Sequence, residues 1–307
     1  MTVQILLATF NSEKYLAQQL DSILCQDYQD IQILLRDAGS TDRTLEIISS
    51  YEKKYPGKVI LKEVGRADAC RNFSRLLEIA EADVFMFSDH DDVWMSDKVS
   101  KTLKKYEEAA KTYGSTTPIL VFTDSQVVNE NLELISPSCF AYQKLDVKNI
   151  TFPRLTVQNC ASGNTMLFNR ALKEKISAIP SCAVMHDHYL MLAASAFGRI
   201  ILLDEPTLLY RQHTKNVLGA ANYGVFYFFS LALQGRKQIR ERFYCNIRQA
   251  AEFYRLYRDE IPQELQNFLS QLTDFPSLGF LTKRRFLLRH RMFKSGILRN
   301  IGMFLLI

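Results

Sequence analysis

The sequence predicts an α/β fold: a parallel sheet covered by helices on both faces, continued by a helical, basic C-terminal region. Two observations predict it. Four short apolar runs of strand length alternate with four segments whose apolar residues recur at helical spacing, the pattern of a parallel sheet with crossover helices. From about Tyr223 the regularity gives way to basic, aromatic-rich helical stretches. The expected division is residues 1–222 for the α/β domain and 223–307 for the extension.

The elements follow in order. "VQILLA" (Val3 to Ala8) reads as a strand buried on both faces. In "NSEKYLAQQLDSILCQ", Leu16, Leu20, Ile23 and Leu24 fall at helical spacing, and Asn11 or Ser12 can cap the start. "IQILLR" is a second strand. "GSTDRTLEIISSYEKKY" is a helix with Leu45, Ile48 and Tyr51 on one face. "VILKEV" is a third strand, and "ADACRNFSRLLEIA" a helix carrying Cys70, Phe73, Leu77 and Ala80 near one face. "DVFMFS" is the fourth strand, before the helix "SDKVSKTLKKYEEAAKTYG" with its polar face. Beyond it, "PILVFTDSQVV" reads as a strand, "CASGNTMLFNRALKEKI" as a loop, short strand and helix, and "HDHYLMLAASAFG" as a helix with an acid near its start. "RIILLDEPTLLYRQH" reads as two strands around Asp204 and Pro206.

Composition narrows the class. With 47% apolar and 23% charged residues over 307 positions, the chain can bury a real core, and wholesale disorder is excluded. Six cysteines without a CxxC pair or zinc-site spacing read as reduced, mostly buried thiols of a cytosolic protein. The N-terminus lacks the basic start of a signal peptide, and no apolar run reaches the ~20 residues of a membrane span. The net charge of +5 is concentrated toward the C-terminus, which points to an anionic partner there, a lipid surface or a nucleic acid. No nucleic-acid module is recognisable, so no nucleic acid is expected.

In parallel sheets, ligands bind beyond the carboxyl ends of the strands. The stretches to read are Thr9 to Asn11, Asp37 to Asp42, Gly65 to Arg71, and Ser88 to Trp94. The last holds "FMFSDHDDVW", with Asp89, Asp91 and Asp92 crowded and no lysine or arginine among them. Three carboxylates at a strand end invite a divalent cation, and oxygen ligands suit magnesium or manganese shared with substrate phosphates. The plainer reading is a solvated turn capping the next helix; the neighbouring loops tip the balance.

Taken together, "ATFNSEKYL", "RDAGSTDRT", "SDHDDVW", "HDHYL" and "YRQH" resemble the family 2 glycosyltransferases. The chain is especially similar to the bacterial rhamnosyltransferases that build cell-wall rhamnose polysaccharides. The resemblance covers roughly the first 220 residues and implies a GT-A fold, with a nucleotide-sugar half and an acceptor half on one sheet. It places Asp89 and Asp91 at the family's DxD motif, which binds a Mn2+ or Mg2+ ion bridging the donor diphosphate. Asp92 and Trp94 match the rhamnosyltransferase branch, and His90 stands where that branch has glutamine. Asp37 matches the first acid of a DDGS motif and would accept a pyrimidine N3–H; Ala38 replaces the second acid. Thr9 and Asn11 match the first nucleotide loop, and Arg71 a basic residue approaching base or phosphates. Asp187 matches the catalytic base, and His213 a third metal ligand. Arg211 is expected to neutralise the departing diphosphate, and Gly163 and Asn164 match an acceptor-side loop. His186 and His188 are expected to pack or to orient the base.

The implied function is metal-assisted inverting transfer of L-rhamnose from dTDP-β-L-rhamnose to a lipid-linked saccharide acceptor. Two alternatives stay open: another donor such as a UDP-hexose, or a non-catalytic nucleotide-sugar-binding scaffold, toward which Ala38 is the one hint. A nucleotidyltransferase would often carry a glycine-rich loop after the first strand, and "ATFNSEKY" has no glycine. The tail "KRRFLLRHRMFKSGILRNIGMFLLI" fits a basic amphipathic segment on an anionic leaflet, which would hold the enzyme at the cytoplasmic face of the membrane. The competing reading is a helix pair packed on the domain or on a second copy in a homodimer.

Overall fold

The computed structural model describes residues 1–176, 178–214 and 236–307. The expected boundary at 222/223 lies outside the described residues. The strands are β1 (Val3–Thr9), β2 (Ile31–Asp37), β3 (Val59–Val64), β4 (Val84–Ser88), β5 (Val93–Trp94), β6 (Ile119–Val128), β7 (Leu134–Ser136), β8 (Met166–Asn169) and β9 (Arg199–Arg211). They form one sheet in the order β3-β2-β1-β4-β8-β6-β9-β5, with β7 paired to β6. The first four strands are parallel, as the alternation demands. β8 then runs antiparallel to both β4 and β6, and so joins the parallel half to the parallel pair β6 and β9.

The period-2 geometry of a strand sends alternate side chains to opposite faces. In β1, Leu6 and Ala8 enter one apolar cluster, while Val3, Ile5 and Leu7 enter the other. In β4, Phe85 and Phe87 join the first, and Val84 and Met86 the second. The second face is covered by α1 (Leu16–Leu24), α2 (Thr44–Lys54) and α4 (Lys98–Tyr113). The first is covered by α3 (Ala69–Ile79) and α8 (His186–Phe197), with the short helices α5 (Cys139–Gln143), α6 (Phe152–Leu155) and α7 (Arg170–Lys175) nearby.

Four C-terminal helices are described: α9 (Arg236–Tyr257), α10 (Gln263–Thr273), α11 (Phe280–Arg289) and α12 (Ile297–Leu306). They share the first cluster. The ring of Phe253 in α9 lies 5.4 Å from Phe152 and 5.8 Å from Tyr189, while Phe268 and Phe286 link α10 to α11 at 6.2 Å. The extension is therefore built onto the sheet by aromatic packing, and both alternatives for the tail must start from that packed position.

Several sequence expectations change. Neither Asn11 nor Ser12 caps α1 with its side chain. A turn opened by the Ser12 carbonyl precedes the helix, which starts after Tyr15. Asn11 sits at φ +48°, in the left-handed region that asparagine tolerates, and its Oδ1 accepts from the Thr41 backbone N–H at 2.9 Å. Asp204 and Pro206 do not divide two strands. β9 is continuous, and the register slip opposite Thr123 and Asp124 lets the chain bulge there. Val93 and Trp94 are not loop but a two-residue strand on β9. The polar face of α4 is not wholly solvated, since Lys98 and Thr102 are fully buried. Only Cys139 and Cys160 of the six free thiols are buried.

Gly198 ends α8 where the chain turns into β9. A Cβ there would stand 1.9 Å from the Pro118 carbonyl oxygen, a backbone atom that also accepts from Arg199 N–H at 2.9 Å. Gly198→Ala is expected to cost about 1–3 kcal/mol, the usual toll of forcing atoms into a packed site. A lowered thermal midpoint checks this; an unchanged one would mean that the α8–β9 junction yields freely.

Candidate active site

The loops after β1 and β2 lock into each other. Asp37 is wholly buried. Its Oδ1 accepts from the backbone N–H of Gly39 (2.9 Å) and Ser40 (2.7 Å). Its Oδ2 accepts from Thr9 Oγ1 (2.8 Å) and Ser40 Oγ (2.6 Å). A carboxylate offers about four acceptor positions, and here all are filled from within. Thr9 and Asp37 are thus brought together as a clasp between two loops. A further donor could reach Asp37 only if one of these turned away, and the Ser40 hydroxyl is a rotor that can. Asn11 is exposed beside them, and its backbone N–H donates to Ser40 Oγ at 2.8 Å. Arg71 is exposed in the first turn of α3, where its backbone N–H is capped by the Asp68 carboxylate at 2.8 Å.

The loop after β4 carries the acids inward. Asp92 is fully buried and holds two other segments: its Oδ1 accepts from the Arg211 backbone N–H at 3.1 Å, and its Oδ2 from the Asn164 side-chain amide. Burial, then the neighbouring Asp91 and Asp89, holds its carboxyl well above the usual range. Asp89 is half-buried, and burial with the charges of Asp91 and Asp187 pushes it up to about 8. Asp91 is buried and meets His213, Oδ2 to Nε2, at 2.9 Å. Asp91 is thus met by His213 from the end of β9, and its charge reaches Asp89 in the same loop.

Arg211 plays a different part from the expected one. It is buried, and its guanidinium donates to the carbonyls of Asp91 (Nε, 2.7 Å) and Glu130 (Nη1, 2.6 Å) and to Gln18 Oε1 (Nη2, 2.6 Å). It also lies 4.6 Å over the Tyr15 ring, whose other neighbour is His213, stacked at 5.0 Å. The Tyr15 hydroxyl donates to Glu130 Oε1 at 2.7 Å. This wedge holds His213 against the acids, and Arg211 is a strut rather than a free cation for a diphosphate. Sequence reasoning gave Tyr15 no role although it stands within "ATFNSEKYL", and missed Gln18 and Glu130, which lie in none of the motifs. It also missed Lys98, whose Nζ donates to Thr207 Oγ1 at 3.1 Å and sits 4.9 Å over Trp94. Burial pushes that amine down to about 7, against the pull of Asp92. The one signal available was a lysine at an otherwise apolar helical position.

Asp187 opens α8 on the facing side. Its Oδ2 accepts from the Gly163 N–H at 3.1 Å and its Oδ1 from the His188 N–H at 2.6 Å. Burial raises it to about 6, with those backbone donors pulling the other way. At neutral pH it remains mostly ionised and can receive a proton. His188 is fixed by the Leu155 carbonyl at 2.6 Å from Nε2. His186 is stacked on Phe73 at 4.0 Å and set edge-on to Phe87 at 4.7 Å, and burial lowers it to about 3, a neutral ring. Gly163 and Asn164 do join the site, one on Asp187 and the other on Asp92.

Among the described residues no three His, Cys, Asp or Glu side chains form a ready-made metal cage. The donors nevertheless fit a divalent cation. Crowded carboxyls raised by burial and by each other are short of positive charge. A magnesium-like ion uses only one or two carboxylates when phosphate completes its shell.

A mixed sheet whose parallel half ends in an acidic loop, with a carboxylate opening a helix across from it, defines the GT-A class of glycosyltransferase. The chain belongs to glycosyl transferase family 2, whose family model matches residues 4–176. It is 28% identical over 229 residues to the dTDP-rhamnosyl transferase RfbG of Shigella flexneri, covering 70% of this chain and 74% of that protein. It spans 66% and 61% of the length of two further curated relatives. Among solved structures it is similar to Staphylococcus aureus TarS 1-349 in complex with UDP, with a TM-score of 0.57 and 19% identity, covering 95% of this chain and 72% of that one. It is also similar to the mannosyltransferase PcManGT of Pyrobaculum calidifontis in complex with GDP-Man and Mn2+, with a TM-score of 0.52 and 14% identity, covering 94% and 85%. At these identities the two structures show the fold.

Gly163 tests the geometry. A Cβ there would come 2.6 Å from His186 Nε2 and 3.5 Å from Asp187 Cβ. The imidazole is held between two phenylalanines and cannot step aside. Gly163→Ala should therefore displace the start of α8 and lower kcat by about 10²-fold, as misplacement of a reacting group does, with donor affinity kept. Steady-state kinetics checks it; an unaffected kcat would separate Gly163 from the base.

Proposed function

We propose that the protein is a metal-dependent inverting glycosyltransferase that moves a sugar from a nucleotide donor to a saccharide acceptor in cell-wall polysaccharide synthesis. The observation that carries the reading is that the adjacent residues Gly163 and Asn164 tie a proton acceptor, Asp187, to the acidic loop of Asp89, Asp91 and Asp92, through hydrogen bonds to Asp187 and Asp92. Thr9, Asn11, Asp37 and Arg71 line the donor side; Gly163 and Asn164 line the acceptor side. Asp89, Asp91 and His213 would hold Mn2+ or Mg2+. The ion supplies positive charge for the developing diphosphate.

The steps of this chain's own residues are few. The Asp187 carboxylate accepts the proton of the acceptor hydroxyl as its oxygen attacks the anomeric carbon. That C–O bond forms as the bond from carbon to the diphosphate oxygen breaks, and the nucleoside diphosphate leaves with the electron pair. Binding holds the three atoms in line, so one displacement inverts the centre. The Arg211 wedge holds the His213 ring beside Asp91, and their direct hydrogen bond would give way as both take the ion.

For the donor we favour dTDP-β-L-rhamnose, giving an α-linked product, because the Shigella relative carries a dTDP-rhamnosyl name. For the acceptor we favour a lipid-linked saccharide, with the basic C-terminal helices on an anionic membrane at the cytoplasmic face. No helix among the described residues is long and apolar enough to cross a membrane. Incubation with a panel of sugar nucleotides, lipid-linked acceptors and Mn2+, followed by mass analysis, tests donor and acceptor together. A panel in which no donor yields product would favour the non-catalytic scaffold.

Chelation should abolish transfer, and Asp91→Asn should do the same while the protein stays folded. Turnover that persists in excess chelator would remove the metal from the reaction.

Asp187→Asn should lose about 10²–10⁴-fold in transfer, the usual contribution of a general base, with donor binding retained. The base works ionised, and its acidity is lowered by burial to about 6. Wild-type transfer should accordingly hold above that pH and fall as pH drops through it. A pH–rate profile flat down to 5 would exclude Asp187 as the base.

A further inference from the structure

A concavity of about 1020 Å³ among the described residues, whose lining does not include Asp187, lies between α9, α11 and α12. Its lining carries six basic side chains, Arg236, Arg240, Lys283, Arg284, Lys294 and Arg299, of which Lys283 is buried with its Nζ on the Tyr244 hydroxyl at 2.8 Å. No acidic side chain lines it among the described residues. Its floor is apolar, with Ile239, Phe243, Met303 and Leu306. Like charges gathered around an apolar trough raise its potential and favour an anion joined to a hydrocarbon. The volume is that of a ligand pocket rather than of a flat contact.

The outer lip is apolar too. Ile297, Ile301 and Leu305 recur every fourth residue along α12 and are 79%, 49% and 70% exposed. Phe280 and Leu281 at the start of α11 are 62% and 69% exposed. A water-facing apolar stripe beside a cationic groove is the surface an amphiphile leaving a bilayer would cross.

The groove and the site share one stretch of chain. Gln158 forms part of its wall, and its Oε1 accepts from the Ser295 N–H at 2.6 Å. Five residues further along the chain stands Gly163, bonded to Asp187. Five residues of chain span at most about 18 Å, so a sugar carried on a phosphate at the groove mouth is within reach of the base.

We propose that this groove binds the phosphorylated lipid chain that carries the acceptor saccharide, with the phosphate on the cationic rim and the chain along the apolar floor. The proposal rests on the reading of the protein as a transferase to a lipid-linked acceptor, and it assigns that lipid a discrete site.

The test titrates the full chain calorimetrically with dodecyl phosphate below its micelle concentration, and with inorganic phosphate and neutral dodecyl maltoside as controls. Dodecyl phosphate should bind at least about tenfold tighter than either, since both halves of the groove contribute. Gly302 lines the groove, and a Cβ there meets nothing within 4 Å, so Gly302→Phe adds bulk at the groove from a position with open space for its first carbon. It should weaken dodecyl phosphate by about tenfold or more. Donor hydrolysis and co-sedimentation with phosphatidylglycerol vesicles should be unchanged. Arg236→Glu with Arg240→Glu should weaken dodecyl phosphate but not the maltoside.

Three results would overturn the proposal: equal binding by wild type and the folded Gly302→Phe variant, inorganic phosphate binding as well as dodecyl phosphate, or loss of vesicle binding in Gly302→Phe with dodecyl phosphate unaffected. The last would make the groove a bilayer contact. The titration needs neither donor nor turnover. A failed groove therefore leaves the Asp187 and metal results standing, and a failed transferase reading leaves the calorimetry interpretable.

Discussion

The site depends on burying Asp92. An aspartate taken out of water is costly unless its oxygens are met by donors. Asp92 is met by the backbone N–H of Arg211 at the end of β9 and by the amide of Asn164 in the turn before β8. One carboxyl therefore draws three distant segments together. Asp91 and Asp89 follow it into the same crowded loop, where His213, two residues after Arg211, meets Asp91. Pull the Asp92 anchor away and the end of β9 loses its register on the acidic loop. His213 then goes with it.

Charge is arranged in layers around that anchor. Beside it, Lys98 lies buried against Trp94 and Thr207, close enough for the charge of Asp92 to pull on its proton. To one side, Arg211 spends its guanidinium on two carbonyls and a glutamine, and stacks on Tyr15. These cations brace the loop without reaching the face where Asp89 stands. That face is left short of positive charge, as a site that shares an ion with a diphosphate requires. Asp187 is kept apart, on another element, with backbone N–H groups rather than cations on its oxygens. Donors of that kind hold a carboxylate in place without making it too weak a base.

The C-terminal helices belong to the same logic. Their aromatic side pays for their position by closing the sheet's first face, Phe253 reaching Phe152 and Tyr189. Their other side is left with cations and exposed aliphatic residues. A helix that is apolar on both sides but cationic at its edges is unlike a surface helix facing only water.

By itself, the sequence determined the parallel half of the sheet and the loops that matter, because a period of two and a period of 3.6 are local properties of the chain. The acids of "SDHDDVW" and the helix-opening Asp187 were legible for the same reason. Short Val93–Trp94 pairing was not, since two residues carry no periodicity and exist as a strand only because β9 passes beside them. Nor was the role of Arg211, read from its motif as a cation for the diphosphate. Only the tertiary structure brings Asp91, Glu130 and Gln18 to its guanidinium from three parts of the chain. The closure of Asp37's four acceptor positions had the same origin: Thr9 and Ser40 meet there across 31 positions of sequence, and a donor's distance along the chain says nothing of its distance in space.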